Sequence, residues 1–437
     1  MSRALTPQDC YGIIRAIHAQ LTGQTALAGV DASNFVSVGE EILAAGTENT
    51  LNALSLVLGR TFIATRPYNA KLDLFNVTNS GLYSNRMRKI SYLSQWAQPS
   101  GAFNTNLYTN HAMGFDNGSN PAGTPPVAQS LPTMWEQNQP VPIELNFAGR
   151  SVWDESITIY EDQLQAAFRD PEEFARFMSG VMVEKGNDIE AEKEAFNRAL
   201  LLNYLAGLYD MDAALGGGTG MIVDLAAWYN TKFNTNHSRN TLLTTEFKPF
   251  LEFVITVIKQ ASDLLTHRTA MSHWAISKTD SNSGLTYTLL RHTPKDRQKL
   301  MMYRPFWIDA EARVLPEIFN DQYLKPENYE GVDYWQAYGL SISGDGPAID
   351  FTPAIPDTTS SPIVQTTGSQ VQLDYVVGVL YDEDALMIDY QLDSSYSTPI
   401  EARKRYRNIW WHFAKNAIND FTENGILLYI GDGGDDT

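Results

Sequence analysis

The residues best placed to do chemistry are three consecutive carboxylates, Asp382, Glu383 and Asp384. Neighbouring carboxylates can hold a divalent cation or act as acid and base on a glycosidic bond. Two apolar strand candidates, Tyr375–Leu380 and Ala385–Tyr390, lie on either side of them. We therefore interpret the three carboxylates as a solvated turn between strands.

Histidine and cysteine spacings do not indicate a metal site. None of the seven histidines has the His-Glu-x-x-His spacing, and His267 and His273 would lie on different faces of a helix. The acidic residues 432–436 lack the spacing and the Glu of a calcium-binding loop. Cys10 is the only cysteine, which excludes an internal disulfide and suits a reducing compartment. We predict no metal and no cofactor.

The sequence also lacks the motifs of nucleophilic and phosphate chemistry. The nearest match to a nucleophile elbow, Gly339 to Ser343, has no second glycine. The glycines from Gly216 to Gly220 follow a helical pattern, whereas a phosphate-binding loop follows a strand. We interpret them as a turn, and we expect that the chain has no catalytic residues and is not an enzyme.

One basic cluster stands out in a chain of net charge −19, namely Arg403, Lys404, Arg405 and Arg407. On a strand, the three arginines would share a face and could contact phosphate. A chain this acidic is poorly suited to a broad nucleic-acid interface. Pairing with carboxylates of another subunit is the favoured interpretation, and it predicts that Arg403 and Arg407 lie at subunit contacts.

The longest element that could position these groups is a helix from Asp170 to Gly207. Asp170 is a good N-cap, Pro171 suits the first helical position, and apolar residues recur every three or four positions. At about 1.5 Å per residue, the helix would be a rod of roughly 55 Å. The alternative is two shorter helices that are interrupted at Gly186, where the glycine weakens the helix.

A long polar stretch, residues 98–139, precedes this helix and is flanked by the predicted strands Lys89–Trp96 and Ile143–Phe147, with a further strand at Val152–Tyr160. Its length is unusual for a loop within a compact domain, and its aromatic residues are unusual for a disordered segment. We interpret it as an extended hairpin arm that packs against a neighbour. Three aromatic residues are predicted to lie at subunit contacts: Trp96, Phe103 and Trp135.

Two short helices, Thr6–Leu21 and Thr47–Phe62, are predicted near the N terminus. They fit an arm that embraces another subunit as well as they fit two surface helices of one globule. Residues 1–7 contain no apolar core of a signal peptide, and no apolar run is long enough to cross a membrane.

The C-terminal half begins with a predicted helix, Thr245–His267. The stretch Ser341–Gln370 is rich in Pro, Thr, Ser and Gly and is interpreted as a surface connection or a small insertion. Aromatic residues alternate with others in Thr398–Ile430, which predicts strands.

Several short segments of the C-terminal third occur in an order that is typical of one protein family. They are EGVDYWQ (330–336), TPAIPD (352–357), VGVLYDEDAL (377–386), STPIEAR (397–403), RYRNIW (405–410) and NDFTEN (419–424). In this order they resemble the major capsid proteins of tailed bacteriophages, which have the Hong Kong 97-type fold. The detailed match covers about the last quarter of the chain, and the order of elements extends the likeness to the rest.

The resemblance implies an α+β fold with an N-terminal arm, an extended β-hairpin loop, a long spine helix and a mixed axial domain. It divides the chain as follows: arm helices, 1–65; extended loop and flanking strands, 66–160; spine helix of the peripheral domain, 161–215; axial domain, 216–375, with a loop or insertion at 341–370; end of the axial domain and return strands of the peripheral domain, 376–437.

The resemblance further implies a structural subunit that forms the pentamers and hexamers of an icosahedral shell around packaged double-stranded DNA. Such a homo-oligomer belongs to the virion, is assembled in the bacterial cytoplasm without a membrane, and encloses DNA without sequence-specific binding. A portal protein is an expected partner. Because the chain begins almost at its first helix, scaffolding is expected from a separate protein. No lysine occurs between Ile90 and Gly149, so a covalent Lys–Asn crosslink from the extended loop is not expected.

Two other function classes stay open at the level of sequence. The Trp, Tyr and Asn content also suits a secreted glycan-binding or glycan-cleaving protein, although Gln8 and Asp9 rather than an apolar segment precede Cys10. The chain could also be another virion component, such as a portal or tail-tube subunit.

Overall fold

The computed structural model describes residues 14–17, 35–44, 76–78, 86–93, 141–149, 151–163, 171–279, 286–313, 329–336, 346–360 and 363–433. Within these ranges the fold combines helices and sheets. The helices are α1 Phe35–Ala44, α2 Pro171–Ala214, α3 Leu225–Phe233, α4 Arg239–Thr244, α5 Phe247–Leu265 and α6 Arg304–Arg313. Residues 14–17 and 161–163 are also helical.

The strands fall into two larger sheets and four small ones. Their bounds are β1 Asn76–Thr78, β2 Arg86–Leu93, β3 Val141–Ala148, β4 Ser151–Tyr160, β5 Ile222–Asp224, β6 Ser277–Thr279, β7 Thr286–Thr288, β8 Gln298–Tyr303, β9 Tyr329–Val332, β10 Ile349–Phe351, β11 Ala354–Pro356, β12 Gln365–Thr367, β13 Val371–Leu373, β14 Val376–Asp382, β15 Leu386–Ser397, β16 Tyr406–Asn419 and β17 Gly425–Tyr429.

The long helix α2 is continuous over 44 residues, or about 66 Å at the usual rise per residue. The prediction of a single rod is confirmed, and the alternative of a break at Gly186 is wrong. The helix also passes through Gly207, where the sequence predicted its end. A Cβ at Gly207 would lie 2.3 Å from the Phe421 ring, so this glycine allows close packing within the helix. The chain turns only after Ala214, where four glycines from Gly216 to Gly220 have positive φ.

A five-stranded sheet of order β5-β17-β14-β8-β9 forms the centre of the described structure. Its central strand β14 is buried along its whole length. One apolar cluster joins the sheet to the C-terminal half of α2, through Tyr204, Leu205 and Leu208. A second apolar cluster joins it to α5, through Phe250, Val254 and Ile258. The sheet is therefore covered by helices on both faces, which explains why its strands are apolar rather than alternating.

A four-stranded sheet of order β1-β15-β16-β4 packs near the middle of α2. Strands β15, β16 and β4 are antiparallel, with Tyr406 opposite Tyr160 and Lys415 opposite Ser151. Strand β1 pairs in parallel with β15 at the other edge. These pairings confirm the strands predicted at Val152–Tyr160 and within Thr398–Ile430.

Strands β2 and β3 form a separate antiparallel hairpin, from Arg86 opposite Ala148 to Leu93 opposite Val141. The predicted pairing of the strands that flank the polar stretch is therefore confirmed. Residues 98–139, with Phe103 and Trp135, lie outside the described residues, as does Trp96.

The described part of Ser341–Gln370 is not a simple surface connection. It folds into short strands that pair as β10 with β13 and β11 with β12. Ile349, Ile355 and Val371 are buried in the cluster around α2. The amide of Asn203 on α2 also brackets Ala354, since it donates to the carbonyl at 3.1 Å and accepts from the N–H at 2.7 Å.

The N-terminal prediction is confirmed only in part. Residues 14–17 are helical, as expected within Thr6–Leu21, whereas Thr47–Phe62 lies outside the described residues. Helix α1 was not predicted. It contains Val36, Val38 and Gly39, which are weak helix formers, and its buried residues Val38 and Ile42 show that packing compensates.

Candidate inter-subunit surfaces

Glu383 and Asp384 lie in the turn after β14, as the sequence predicted, whereas Asp382 is the last residue of β14 and is buried rather than solvated. Arg297 is within ion-pair distance of all three, and Asp382 also accepts a hydrogen bond of 2.8 Å from the Thr293 hydroxyl. The guanidinium occupies the space in which a cation would be held. Among the described residues, no group of three or more His, Cys, Asp or Glu side chains could hold a metal ion.

His267 and His273 do not form a pair, because α5 ends at Leu265 before either of them. His273 is buried, and its ring nitrogens lie 2.9 Å from the Met271 carbonyl oxygen and 3.2 Å from that of Leu289. Burial lowers the pKa of His273 below its ordinary value. We interpret it as a structural crosslink between two backbone segments.

The basic cluster is split by the structure, so the expectation that its arginines share one strand face is wrong. Arg403 lies in the turn before β16 and is exposed, and Arg405 has φ +51° in the same turn. Arg405 donates to the buried carboxylate of Glu161 at 2.8 Å. Arg407 is the only one of the three arginines on β16, and its side chain is buried within its own chain. Arg403 and Arg405 are therefore both exposed, but Arg405 is ion-paired with Glu161 of its own chain.

The sheet face of β4, β15 and β16 that points away from α2 is rich in exposed rings. We call it the aromatic face and define it by Tyr160, Tyr396, Tyr406, Trp410 and His412. Tyr396 is 65% exposed and its ring centroid lies 5.6 Å from that of His412, while Tyr160 and Tyr406 are 5.8 Å apart. The alternation on β16 places its neighbours Ile409 and Trp411 in the core instead.

The hairpin of β2 and β3 also has an uncovered side, which we call the hairpin outer face. Ile90 and Tyr92 are 51% and 63% exposed there, opposite Glu144 and Pro142. Arg88 on the same side forms an exposed ion pair of 2.7 Å with Glu144. Large apolar side chains on this face have no partner within the described part of the chain.

The opposite side of the hairpin contacts the body through a cluster that we call the hairpin anchor: Lys89, Arg291, Asp420 and Glu423. Lys89 forms ion pairs with both carboxylates, and Arg291 lies 3.1 Å from Glu423. Arg291 also donates to the Ser91 hydroxyl at 2.9 Å. Glu423 and Asp420 lie in the turn between β16 and β17, so the anchor joins the hairpin to the junction of the two large sheets.

The anchor is largely removed from water, and its pKa values reflect this. Burial would lower the pKa of Lys89, but the carboxylates of Asp420 and Glu423 outweigh burial and raise it above the ordinary value. Burial raises the pKa of Glu423, and Lys89 and Arg291 only partly offset that effect. Sequence reasoning missed this cluster, because residues 89, 291 and 420–423 are far apart in the chain.

A buried lysine, Lys415, lies between the four-stranded sheet and α2. Its ammonium is 5.6 Å from the centroid of the Trp153 ring and 5.1 Å from that of Phe196. Burial lowers the pKa of Lys415 to about 8, and the nearby Lys193 acts in the same direction. The sequence did not indicate this residue, because a lysine in an alternating strand is expected on the solvent side.

A third uncovered surface lies on α3, where Trp228 and Phe233 are about half exposed. The Phe233 ring packs against Tyr229 with a centroid distance of 4.7 Å. Within the described ranges, no helix combines the length and hydrophobicity needed to cross a membrane.

Comparisons with known proteins place this geometry beside phage structures. The chain aligns with a chain described as the capsid structure of Staphylococcus phage Andhra at 10% identity and a TM-score of 0.47, over 83% of this chain and 87% of that one. It aligns with a capsid chain of the cyanophage P-SCSP1u at 10% identity and a TM-score of 0.40, over 82% and 87%. A chain of the mature capsid of bacteriophage PhiM1 gives 9% identity and a TM-score of 0.40, over 84% and 89%.

Each alignment covers most of both chains, at identities of 9–10% and TM-scores below 0.5. No protein-family model and no curated protein matches this chain.

Proposed function

We propose that this chain is the major capsid protein of a tailed bacteriophage, with the Hong Kong 97-type fold, and that it forms the pentamers and hexamers of an icosahedral shell. One observation carries this proposal: the aromatic face and the hairpin outer face are two different uncovered surfaces of the same subunit. A contact between unlike surfaces is head-to-tail, and such contacts close into rings when the rotation between subunits allows it. Rings of this kind are the units from which a shell is built.

The elements of the fold support the same proposal. Helix α2 takes the role of the spine, the hairpin of β2 and β3 forms the base of the extended loop, and the five-stranded sheet with α3 and α5 forms the axial domain. The four-stranded sheet then belongs to the peripheral domain. The division at residues 65, 160, 215 and 375 stands as part of this proposal, as do contacts through Trp96, Phe103, Trp135 and Arg403. Arg407 is left out of it, because its side chain is buried within its own chain.

The charge of the chain suits a container for double-stranded DNA. With 32 basic and 51 acidic residues, the subunit repels a polyanion and would enclose DNA without binding a particular sequence. A portal protein and a separate scaffolding protein are the partners that this role requires. The subunit would be assembled in the host cytoplasm and reside in the virion, where it acts as a structural rather than a catalytic protein.

The direct test is negative-stain electron microscopy of the purified full-length chain, together with sedimentation over a range of concentrations. We expect shells or capsomers, with masses far above that of one subunit. A compact monomer at every concentration would contradict the proposal. Isolated rings or tubes with a single symmetry axis would assign the chain to a portal or a tail tube instead.

The aromatic face also favours one second candidate, a glycan-binding protein, because exposed rings beside Asn408 and Thr158 could stack on sugars. Binding to a glycan array by a chain that does not assemble would support that candidate. Assembly without glycan binding would exclude it.

Substitution of Tyr396 by Glu tests the aromatic face itself. A charge at this 65% exposed position should block shell formation, because the surface would then have to bury an unpaired carboxylate. The subunit should keep the circular dichroism spectrum and thermal stability of the wild type.

Thr256→Glu, an equally polar change at an exposed position on α5, is the matched control and should assemble normally. Normal shells from Tyr396→Glu would show that the aromatic face is not a subunit contact.

A further inference from the structure

The hairpin of β2 and β3 is held against the body by one side only. On that side, Leu93 packs with Tyr287 and Leu289, and the partly buried Val141 and Ile143 extend this contact. An apolar contact of this kind has little directionality, and it tolerates sliding and tilting. It therefore holds the hairpin near the body without setting its angle.

The hairpin anchor, in contrast, consists of directional contacts that can fix the angle between the hairpin and the body. Lys89 is the hairpin's only charge in the anchor, and it reaches Asp420 and Glu423 together. The carboxylate of Asp420 is itself held rigidly, since it accepts from the Thr422 N–H at 2.9 Å and from the Thr422 hydroxyl at 2.6 Å. A lysine between two fixed carboxylates has one favourable position, so a tilt of the hairpin breaks at least one ion pair.

The turn that carries these carboxylates is fixed to the rest of the molecule. Phe421 stacks on Tyr204 of α2 with a centroid distance of 5.5 Å, and its carbonyl oxygen accepts from the Trp274 N–H at 2.7 Å. The orientation of the hairpin is thus fixed relative to the long helix and to the junction of both large sheets. Lys89 is the charged side chain of the hairpin that makes this connection. Two hydrogen bonds accompany it, from Arg291 to the Ser91 hydroxyl at 2.9 Å and from Asn416 to the Phe147 carbonyl oxygen at 3.4 Å.

We propose that Lys89 is a positioning residue that sets the angle at which the hairpin leaves the subunit, and through that angle the curvature of the assembled shell. The part on curvature rests on the proposed function, whereas the part on the hairpin angle does not. In a head-to-tail assembly, a small change in the angle of a contacting segment is repeated at every interface, so one ion-pair cluster can select one particle size. Buried ion pairs are well suited to such a role, because they specify geometry more than they add stability.

The first experiment measures the hairpin angle in unassembled subunits. Spin labels at Tyr92→Cys on the hairpin outer face and Glu252→Cys on α5, in a Cys10→Ser background, report the distance between hairpin and body. Lys89→Met should broaden this distance distribution, with the displaced population rising by roughly a hundredfold or more because a buried charge cluster has lost one partner. Lys89→Arg should restore the narrow distribution.

Arg88→Met is the matched control, because it removes the neighbouring charge of the same strand from an exposed ion pair. It should leave the distance distribution unchanged. Equal distributions for Lys89→Met and Arg88→Met would overturn the proposal. Broad exchange of the β16 amides in Lys89→Met would also overturn it, because the residue would then be part of the general core.

The second experiment measures particle diameters by electron microscopy. Lys89→Met should give shells of mixed diameter, and Lys89→Arg should give the wild-type diameter. A displaced hairpin with unchanged diameters would overturn the link to curvature. Failure of the wild-type chain to assemble would refute the proposed function, but the spin-label distances would still decide the role of Lys89.

Discussion

The environment of some single residues in this protein differs from what their residue type predicts. Lys415 belongs to a residue class that is almost always exposed, yet it lies between Trp153 and Phe196 under the four-stranded sheet. Burial disfavours its charged form, so the protein tolerates this lysine at a cost in stability. The two ring contacts recover part of that cost.

Replacement of Lys415 by Met should stabilise the unassembled subunit at pH 7. The pKa of Lys415 falls from 10.5 to about 8 on folding, so the unfolded chain binds its proton more tightly than the folded chain. The wild type should therefore gain stability as the pH rises from 8 to 10.5, and the advantage of Lys415→Met should shrink over that window. We expect a gain of about 1–3 kcal/mol at pH 7, measured by urea unfolding.

The matched control is Lys404→Met, an exposed lysine in the turn before β16. It should change the unfolding free energy by less than about 0.5 kcal/mol at either pH. If Lys415→Met lowered the stability at pH 7, packing around the ammonium would outweigh its burial.

Gly207 is the second residue whose role depends on a distant partner. Gly207→Ala would place a methyl group 2.3 Å from the Phe421 ring, and we expect a loss of about 1–3 kcal/mol in urea unfolding. The substitution would ordinarily stabilise a helix interior, so the sign of the change is the test. The combination with Phe421→Leu should be less destabilising than the sum of the two single changes, because the smaller side chain relieves the contact. Stabilisation by Gly207→Ala alone would show that the ring moves aside freely.

At the scale of elements, the strongest periodic patterns were the most informative. The apolar period after Asp170 predicted α2, although residues 200–212 of that helix are buried on nearly all sides. Alternation predicted β4 and β16, because one face of these strands is more exposed than the other. The predicted end of α2 was wrong because Gly207 serves a contact with Phe421, which lies more than 200 residues further along the chain. Local sequence contains no record of such a contact.

The segment 346–373 is a second case in which local sequence was not enough to predict the structure. Its Pro, Thr, Ser and Gly content left open whether it is a surface connection or a small insertion. The buried Ile349, Ile355 and Val371, which pack on α2, exclude a simple surface connection for the described part. Short strands of three residues are too brief to show a period. The hairpin anchor could not be predicted either, because its four side chains come from three separate parts of the chain.

Asn203 is the polar link that should hold this segment to α2. Asn203→Ala removes two hydrogen bonds to the backbone of Ala354 and leaves those partly buried groups unsatisfied, so we expect a loss of about 1–2 kcal/mol. Hydrogen exchange should rise in β11 and β12. Gln336 brackets Asp350 in the same way at an exposed position, so Gln336→Ala should cost less than about 0.5 kcal/mol. Equal losses of stability in the two variants would show that burial does not determine how much these side-chain hydrogen bonds contribute.

At the scale of the whole molecule, the described structure has a covered apolar core and several uncovered apolar surfaces. Both faces of the five-stranded sheet are covered, whereas the aromatic face, the hairpin outer face and the exposed rings of α3 are not. Exposed apolar patches of this kind are typical of surfaces that bind a partner, as the proposed function requires. The sequence predicted a contact surface in residues 98–139, which carry few charges and several aromatic rings. That stretch lies outside the described residues, and the described hairpin flanks it.

A charge reversal at Arg403 tests whether this side chain takes part in the proposed assembly. Arg403→Glu should impair shell formation while the subunit remains folded, because the side chain is exposed and belongs to no buried network. Lys278→Glu, an equal change of charge at an exposed position on β6, should assemble as the wild type does. Yield of sedimenting particles is the measurement, and equal yields for the two variants would exclude Arg403 from subunit contacts.

The span of α2 has one more consequence. Phe196 contacts the four-stranded sheet, residues 200–211 contact the five-stranded sheet, and the turn at 420–424 ties both sheets to the same stretch of helix. Because both large sheets contact neighbouring stretches of the same helix, the two sheets cannot pivot independently of each other. In the proposed shell, any difference in geometry between copies of this chain would then arise in the segments attached to α2 and the two sheets rather than between the sheets.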